Sequence, residues 1–198
     1  RQKAVAYINV DSSASGPNFQ GDAVASLAPL LVEVSRSLQD PSGKTLYQAW
    51  RDYRQRESAS KRPLRDDELA DTRIGSGSDH TVFLNFLGIP TVGLHFDGPY
   101  GVYHSMYDNF FWMNHFGDPG YKYHRLMAQL WGVLALRLAN AEIFPYDFDS
   151  YGDNIRQFVT ELGLRSGVLS GKSKVKLDSL RERISEFQIA GRDFNRAM

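Results

Sequence analysis

The run Ala4–Val10, "AVAYINV", decides the fold class. It is short, rich in β-favouring Val, Ile and Tyr, and closed by the polar Asp11-Ser12-Ser13. A brief apolar run that ends in turn residues reads as a buried strand leading into a loop. A second such run, "GIPTVGLHF" at Gly88–Phe96, reads as another core strand. Between the two the apolar period changes to that of a helix. Ser26–Leu38 carries Leu and Val at helical spacing and is stopped by Asp40-Pro41. Leu46, Trp50 and Tyr53 mark a second, more polar helix. "SASGPNFQGD", Ser13–Asp22, reads as turn chemistry, and Glu57–Asp71 as an exposed charged loop. "RIGSGSD", Arg73–Asp79, reads as a glycine-serine turn in which Asp79 caps a short helix bearing Val82, Phe83, Phe86 and Leu87. Asp118-Pro119 opens a long helix reaching about Ala141, apolar on most faces and therefore expected to be largely buried. Strands alternating with helices predict an α/β unit.

From Asp147 onward only helical periods are found. Residues 150–165 form an amphipathic helix, "SGVLSGKSKVK" at Ser166–Lys176 a flexible connector, and Leu177, Leu180, Ile184 and Phe187 the stripe of a last helix. The expected organisation is an α/β domain over residues 1–146 and a helical domain over 147–198.

Composition narrows the function classes. Net charge is zero, so no global attraction to nucleic acid or an anionic membrane is expected. There is no cysteine, which excludes disulfides and thiolate metal sites. No apolar run has the length of a membrane span. The opening "RQKAVAYINVD" enters a core strand with no lead-in, so the chain reads as a piece of a longer polypeptide.

In open α/β sheets, sites form beyond the carboxyl ends of the strands. Asp11 ends the first strand, and His104 follows the second within the aromatic loop "GPYGVYHSMYDNF", Gly98–Phe110. A carboxylate and an imidazole brought together this way suit zinc. Taken singly, Asp11 reads equally as a turn or cap residue, and His104 as a packing residue. "GSGSDH", Gly75–His80, offers Ser, Asp and His as sequence neighbours, which does not make a catalytic triad, and the nucleophile-elbow spacing is absent. His115 and His124 read as structural or solvated, and His80 as a residue able to line the site.

Three motifs in order, "AYINVDSSASG", "RIGSGSDHTVFLNFLGIP" and "YGVYHSMYDNF", followed by "DPGYKYHRLMAQLWGVLALRLANAEIFPYDFDSYG", resemble the glutamate carboxypeptidase II and transferrin-receptor-like branch of the co-catalytic zinc aminopeptidases. The similarity covers nearly the whole chain, most strongly Ala4–Gly152. The resemblance implies part of a phosphatase/aminopeptidase-like α/β sheet with flanking helices, then the beginning of a helical dimerisation domain. It implies two zinc ions per full-length chain, with Asp11 and His104 as metal ligands, one on each ion. Tyr103 matches the tyrosine that stabilises the tetrahedral oxyanion, and Gly77, Ser78 and Tyr100 match residues lining the substrate's path. The other ligands and the general-base glutamate are expected upstream of this chain. Catalytic zinc needs about three protein ligands, so the chain alone is expected to bind zinc weakly and to be inactive. Expected partners are a peptide substrate and a second copy through the helical segment. The expected location is outside the cytoplasm, in a secreted, periplasmic or membrane-anchored protein.

Departures from the family pattern shape the specificity reading. Gly21, Gly93 and His95 stand where glutamate-specific members carry an arginine patch, and Ser78 where an asparagine is usual. With Phe96, Tyr100 and Phe110 as walls, neutral or hydrophobic peptides are expected rather than acidic ones. The alternative is a transferrin-receptor-like binding or scaffold protein that has lost catalysis.

Overall fold

A computed structural model describes residues 3–169 and 177–197 of the chain. Three strands form one mixed sheet: β1 Tyr7–Val10, β2 Asn18–Ala23 and β3 Thr91–Asp97, in the order β1-β3-β2. The central β3 runs parallel to β1, with Tyr7 opposite Thr91 and Val10 opposite Leu94. It runs antiparallel to β2, with Asn18 opposite Asp97 and Ala23 opposite Val92. Strand β2 corrects the reading of Ser13–Asp22 as a turn from Asn18 onward, while Ser13–Pro17 do form turns and bends. Its Gly, Pro and Asn suppress the strand signal, yet six consecutive pairings with β3 hold it extended. Pairing with a neighbour overrides intrinsic β-propensity.

Alternation along the strands creates two unlike faces. Phe19, Gly21 and Ala23 of β2 and Val92, Leu94 and Phe96 of β3 are buried on one face. Three helices of the same unit cover it: α1 Ala28–Ser37, α2 Leu46–Glu57 and α4 Lys122–Ala139. Leu27, Leu31, Leu46, Trp50, Leu126, Leu130 and Leu134 complete the core there. Phe19 is its hub, with its ring centre 5.1 Å from Trp50 and 5.3 Å from Phe96. Each such buried side chain contributes about 1.5–3 kcal/mol. The other face is polar: Asn18, Gln20, Asp22, Gly93, His95 and Asp97 lie along it.

Local chemistry starts the helices. A capping box opens α2, in which Thr45 Oγ1 accepts from the Gln48 amide and Gln48 Oε1 from the Thr45 amide. Before α4 the chain passes through the left-handed Tyr121, and Asp118 serves as the cap, accepting from the amides of Tyr123 and His124. Helix α4 is amphipathic rather than largely buried. Leu126, Met127, Leu130, Leu134 and Leu138 face the core, while Trp131 and Leu136 are exposed. Residues 80–87 form a wide helical turn whose Val82–Phe86 segment has π-type bonding. Thr81, which precedes that segment, makes no side-chain cap, and the helical residues begin at His80, directly after Asp79. A short α3, Phe110–Trp112, continues into a second such turn, Met113–Gly117.

The contacts divide the chain into two compact units, meeting at Pro145 and Tyr146. The second is a hairpin of α5 Phe148–Leu169 and α6 Asp178–Ala197. Its core is Val159, Leu177 and Ile184, with Ile155 against them. Leu180 and Phe187, expected in the stripe, are about two-fifths exposed, and the buried positions of α6 are Ile184, Gln188 and Gly191. Most of the expected connector lies outside the described residues, apart from its first four, which extend α5 to Leu169. Among the described residues no helix is long and apolar enough to cross a membrane.

Candidate active site

Because β1 and β3 are adjacent and parallel, their carboxyl ends lie at the same edge of the sheet. The loop after β1 is fastened to the end of β3. Ser15 donates to the Phe96 carbonyl from both its amide (2.9 Å) and its hydroxyl (3.0 Å). Gly16 and Gly98 then meet backbone to backbone, since a Cβ on Gly16 would lie 2.5 Å from the Gly98 Cα. The loop bearing Asp11 and the loop bearing Tyr103 and His104 are therefore in direct contact at their bases.

Asp11 is exposed but fixed in place. Its Oδ2 accepts from Asn9 Nδ2 at 3.1 Å and from the Ser78 hydroxyl. Asn9, nearly buried, also donates to Ser78 Oγ at 3.1 Å. Asn9, Asp11 and Ser78 thus form a triangle that ties the glycine-serine loop to the end of β1. Gly77 supplies the bend with φ +110°, a conformation that L side chains rarely adopt, and faces open space. Asn9 carried no signal of its own in the sequence, as it reads as the polar residue of an apolar strand.

The second cluster is aromatic. The rings of Trp112 and Tyr100 lie 5.0 Å apart, those of Tyr100 and Tyr103 5.9 Å, and His104 stacks on Tyr103 at 3.9 Å and 19°. His104 has φ +57°, an uncommon left-handed conformation for a non-glycine residue. The Tyr100 hydroxyl donates to Asp108. Burial, the hydrogen bond to Asp108 and that carboxylate's charge push Tyr100 up to about 12, so it stays protonated at neutral pH. Tyr103 and His104 are exposed. No hydrogen bond among the described residues joins Asp11 to His104.

Three of the expected pocket residues have different surroundings. Phe96 is only 1% exposed and lies between Phe19 and Tyr123, because strand alternation turns it to the core. Phe110 is three-quarters exposed rather than part of an enclosed wall. Gly21 is on the core face, where a Cβ would lie 2.8 Å from Leu31 and 3.2 Å from Trp50. Gly93 and His95 are on the polar face with Asp22, whose carboxylate would sit 3.3 Å from a Cβ on Gly93. Burial pushes Asp22 above the ordinary carboxylate range, against the pull of His95. His80 Nε2 is buried there without a hydrogen-bond partner among the described residues.

By donor type, Asp11 and His104 fit zinc, one carboxylate and one imidazole. By number they do not complete a site, since among the described residues no three His, Cys, Asp or Glu side chains gather as a metal ion would require.

No protein-family model matches the chain. Among curated proteins it is 37% identical over 163 residues to the "Probable glutamate carboxypeptidase LAMP1" of Arabidopsis thaliana, covering 81% of this chain and 22% of that protein. It is 33% identical over 192 residues to the "Probable glutamate carboxypeptidase AMP1" of the same plant, covering 96% of this chain and 25% of that protein. The chain belongs to the glutamate carboxypeptidase II and transferrin-receptor-like peptidase family. The similarity extends to the "Aminopeptidase NAALADL1" of Rattus norvegicus, at 25% identity over 206 residues, covering 98% of this chain and 27% of that protein. The chain therefore spans about a quarter of the length of the curated relatives it matches.

Proposed function

We propose that the full-length protein is a zinc-dependent exopeptidase, and that this chain supplies one wall of its active site. The observation that carries the reading is that Asp11 and the Tyr103–His104 pair leave the same edge of the sheet on loops in backbone contact. Curated relatives named as a carboxypeptidase and an aminopeptidase support peptide-bond hydrolysis.

In this reading Asp11 and His104 each give one ligand to a centre whose remaining ligands come from outside the chain. Zinc, when bound, would acidify a water molecule and polarise the scissile carbonyl. Asn9 and Ser78 orient the Asp11 carboxylate for that task, as outer partners of metal ligands do. Tyr103 presents its phenol to the oxyanion that develops on the carbonyl, a contribution of about 2.7–4 kcal/mol for one such donor. Gly77, bare and open, lets the substrate backbone approach closely, and the Tyr100 ring stands beside Tyr103 on the other loop. Neutral or hydrophobic peptides fit better than acidic ones. The place of an arginine patch is taken by a core glycine and by a polar face on which Asp22 is the nearest carboxylate. The α5–α6 hairpin, which keeps Leu162, Leu164 and Ile189 exposed, serves a dimer interface in this reading.

The test is elemental analysis and a peptidase assay on the full-length protein and its His104→Ala variant. About two zinc ions per chain and activity in the wild type, both reduced in the variant, are expected. A well-folded protein without zinc or activity would instead point to a binding protein in which Asp11 and His104 are remnants.

A further inference from the structure

The loop that carries Tyr103 and His104 has little burial to hold it. Gly101 and every residue from Tyr103 to Phe110 are exposed. At its centre His104 adopts a left-handed backbone that costs free energy and persists only where the surroundings impose it. Local bonds account for part of that constraint. The Ser105 amide and hydroxyl donate to the Val102 carbonyl at 3.0 and 2.7 Å, and the Asp108 amide to the Ser105 carbonyl at 3.1 Å. Each of these spans three residues and bends the chain without locating it.

One side-chain bond crosses the whole loop. Tyr100 and Asp108 are joined eight residues apart, and His104 lies midway, four residues from each. The ring of Tyr100 is in turn set between Trp112 and Tyr103. Trp112 has a solid backing, for the space a Cβ on Gly117 would need is filled by its ring at 2.4 Å. A continuous series thus runs from buried Gly117 through Trp112, Tyr100 and Tyr103 to His104, and Asp108 fixes its middle member by the hydroxyl.

We propose that Asp108 is a positioning residue, which acts through Tyr100 to hold the Tyr103–His104 pair in the orientation the active site uses. This rests on the peptidase reading for its consequence in turnover, but not for the geometry itself. In this role Asp108 acts through the Tyr100 hydroxyl rather than on the substrate or the metal. Its carboxylate selects one rotation of the Tyr100 ring, and that ring sets where Tyr103 stacks. Closing a loop at its ends removes conformations that its exposed centre would otherwise explore.

The experiment compares Asp108→Asn, Tyr100→Phe and the double variant in full-length protein labelled at histidine Cε1, with the His104 resonance identified by its loss in His104→Ala. Ring stacking on Tyr103 shifts that resonance. Both single variants should move it in the same direction, and the double variant should move it no further, because each change removes the same bond. The kcat should fall by about ten-fold or more in each, as misplacement at a reacting centre does. Asp108→Asn keeps the shape of the side chain and Tyr100→Phe keeps the ring, so a folding failure in one leaves the other to decide. A His104 resonance that stays in place in either folded variant overturns the proposal, whatever the activity. A resonance that moves in a protein without peptidase activity upholds the positioning role and removes the peptidase reading instead.

Discussion

Asp118 shows how one side chain can fix the start of a helix. It is 2% exposed and accepts from the amides of Tyr123 and His124 at 3.0 and 2.9 Å, with His124 Nδ1 a further 2.8 Å contact. Burial alone would raise its pKa, but the His124 ring and the two amides outweigh that and hold the carboxyl below its ordinary range. A carboxyl depressed in the folded state stabilises fully above its unfolded pKa, about 3.9, and that contribution is lost as the pH falls through the lower folded value. Asp118→Ala should therefore cost about 1–2 kcal/mol at neutral pH, and the gap to wild type should narrow in acid. Thermal unfolding of both proteins from neutral to acid pH measures this; a gap that is constant with pH would refute it. Gly21 makes the opposite kind of test. A methyl group there meets Leu31 at 2.8 Å, so Gly21→Ala should destabilise by about 1–3 kcal/mol in denaturant titration. In the sequence Gly21 could only be read as a missing arginine, because nothing in a single glycine tells which face of a strand it occupies.

At the level of elements, apolar period located α1, α2, α4 and α5 within a few residues, and the start of α6, which runs on ten residues beyond the expected stripe to Ala197. The strand runs "AVAYINV" and "GIPTVGLHF" were legible for the same reason, since both are apolar and end in turn residues. Strand β2 was not, because its stability resides in six pairings with β3 rather than in its own side chains. The hairpin illustrates a second blind spot. A hydrophobic reading selects Leu180 and Phe187, whereas the buried line of α6 continues through Gln188 and Gly191. Gln188 is buried because it is satisfied twice over, donating to Asp153 and accepting from Arg156. Gly191 is there because the backbone of Phe148 and Asp149 passes 3.0 Å from where its Cβ would be. Backbone cannot give way as a side-chain tip can. Gly191→Ala should accordingly lower the hairpin's melting midpoint in circular dichroism more than Gly163→Ala, whose Cβ would meet only side-chain atoms at 3.4 Å.

For the whole molecule, the site is legible only in outline. The rule that ligands gather beyond strand carboxyl ends placed Asp11 and His104 at one edge of the sheet, and the parallel pairing of β1 with β3 puts their loops there. The residues that orient them were out of reach. Asn9 and Asp108 act through hydrogen bonds to partners 69 and 8 residues away, and no local pattern announces such a bond. Specificity belongs to this scale too. On the proposed peptidase reading, peptides differing only in the residue whose side chain faces the Asp22 region should be cleaved with lower kcat/KM when that residue is acidic than when it is neutral. Asp22→Asn should narrow the difference, and an acidic preference in the wild type would reverse the assignment.

The Gly16–Gly98 contact has a further bearing, on how this edge of the sheet can be altered by mutation. Two loops that touch through bare backbone share a seam with no side chain to absorb a change on either side. Substitutions at these two positions should not be tolerated singly in a selection for folded protein. A graft that replaces one loop with that of a relative should succeed only when the other is exchanged with it, so that the two behave as a single heritable part.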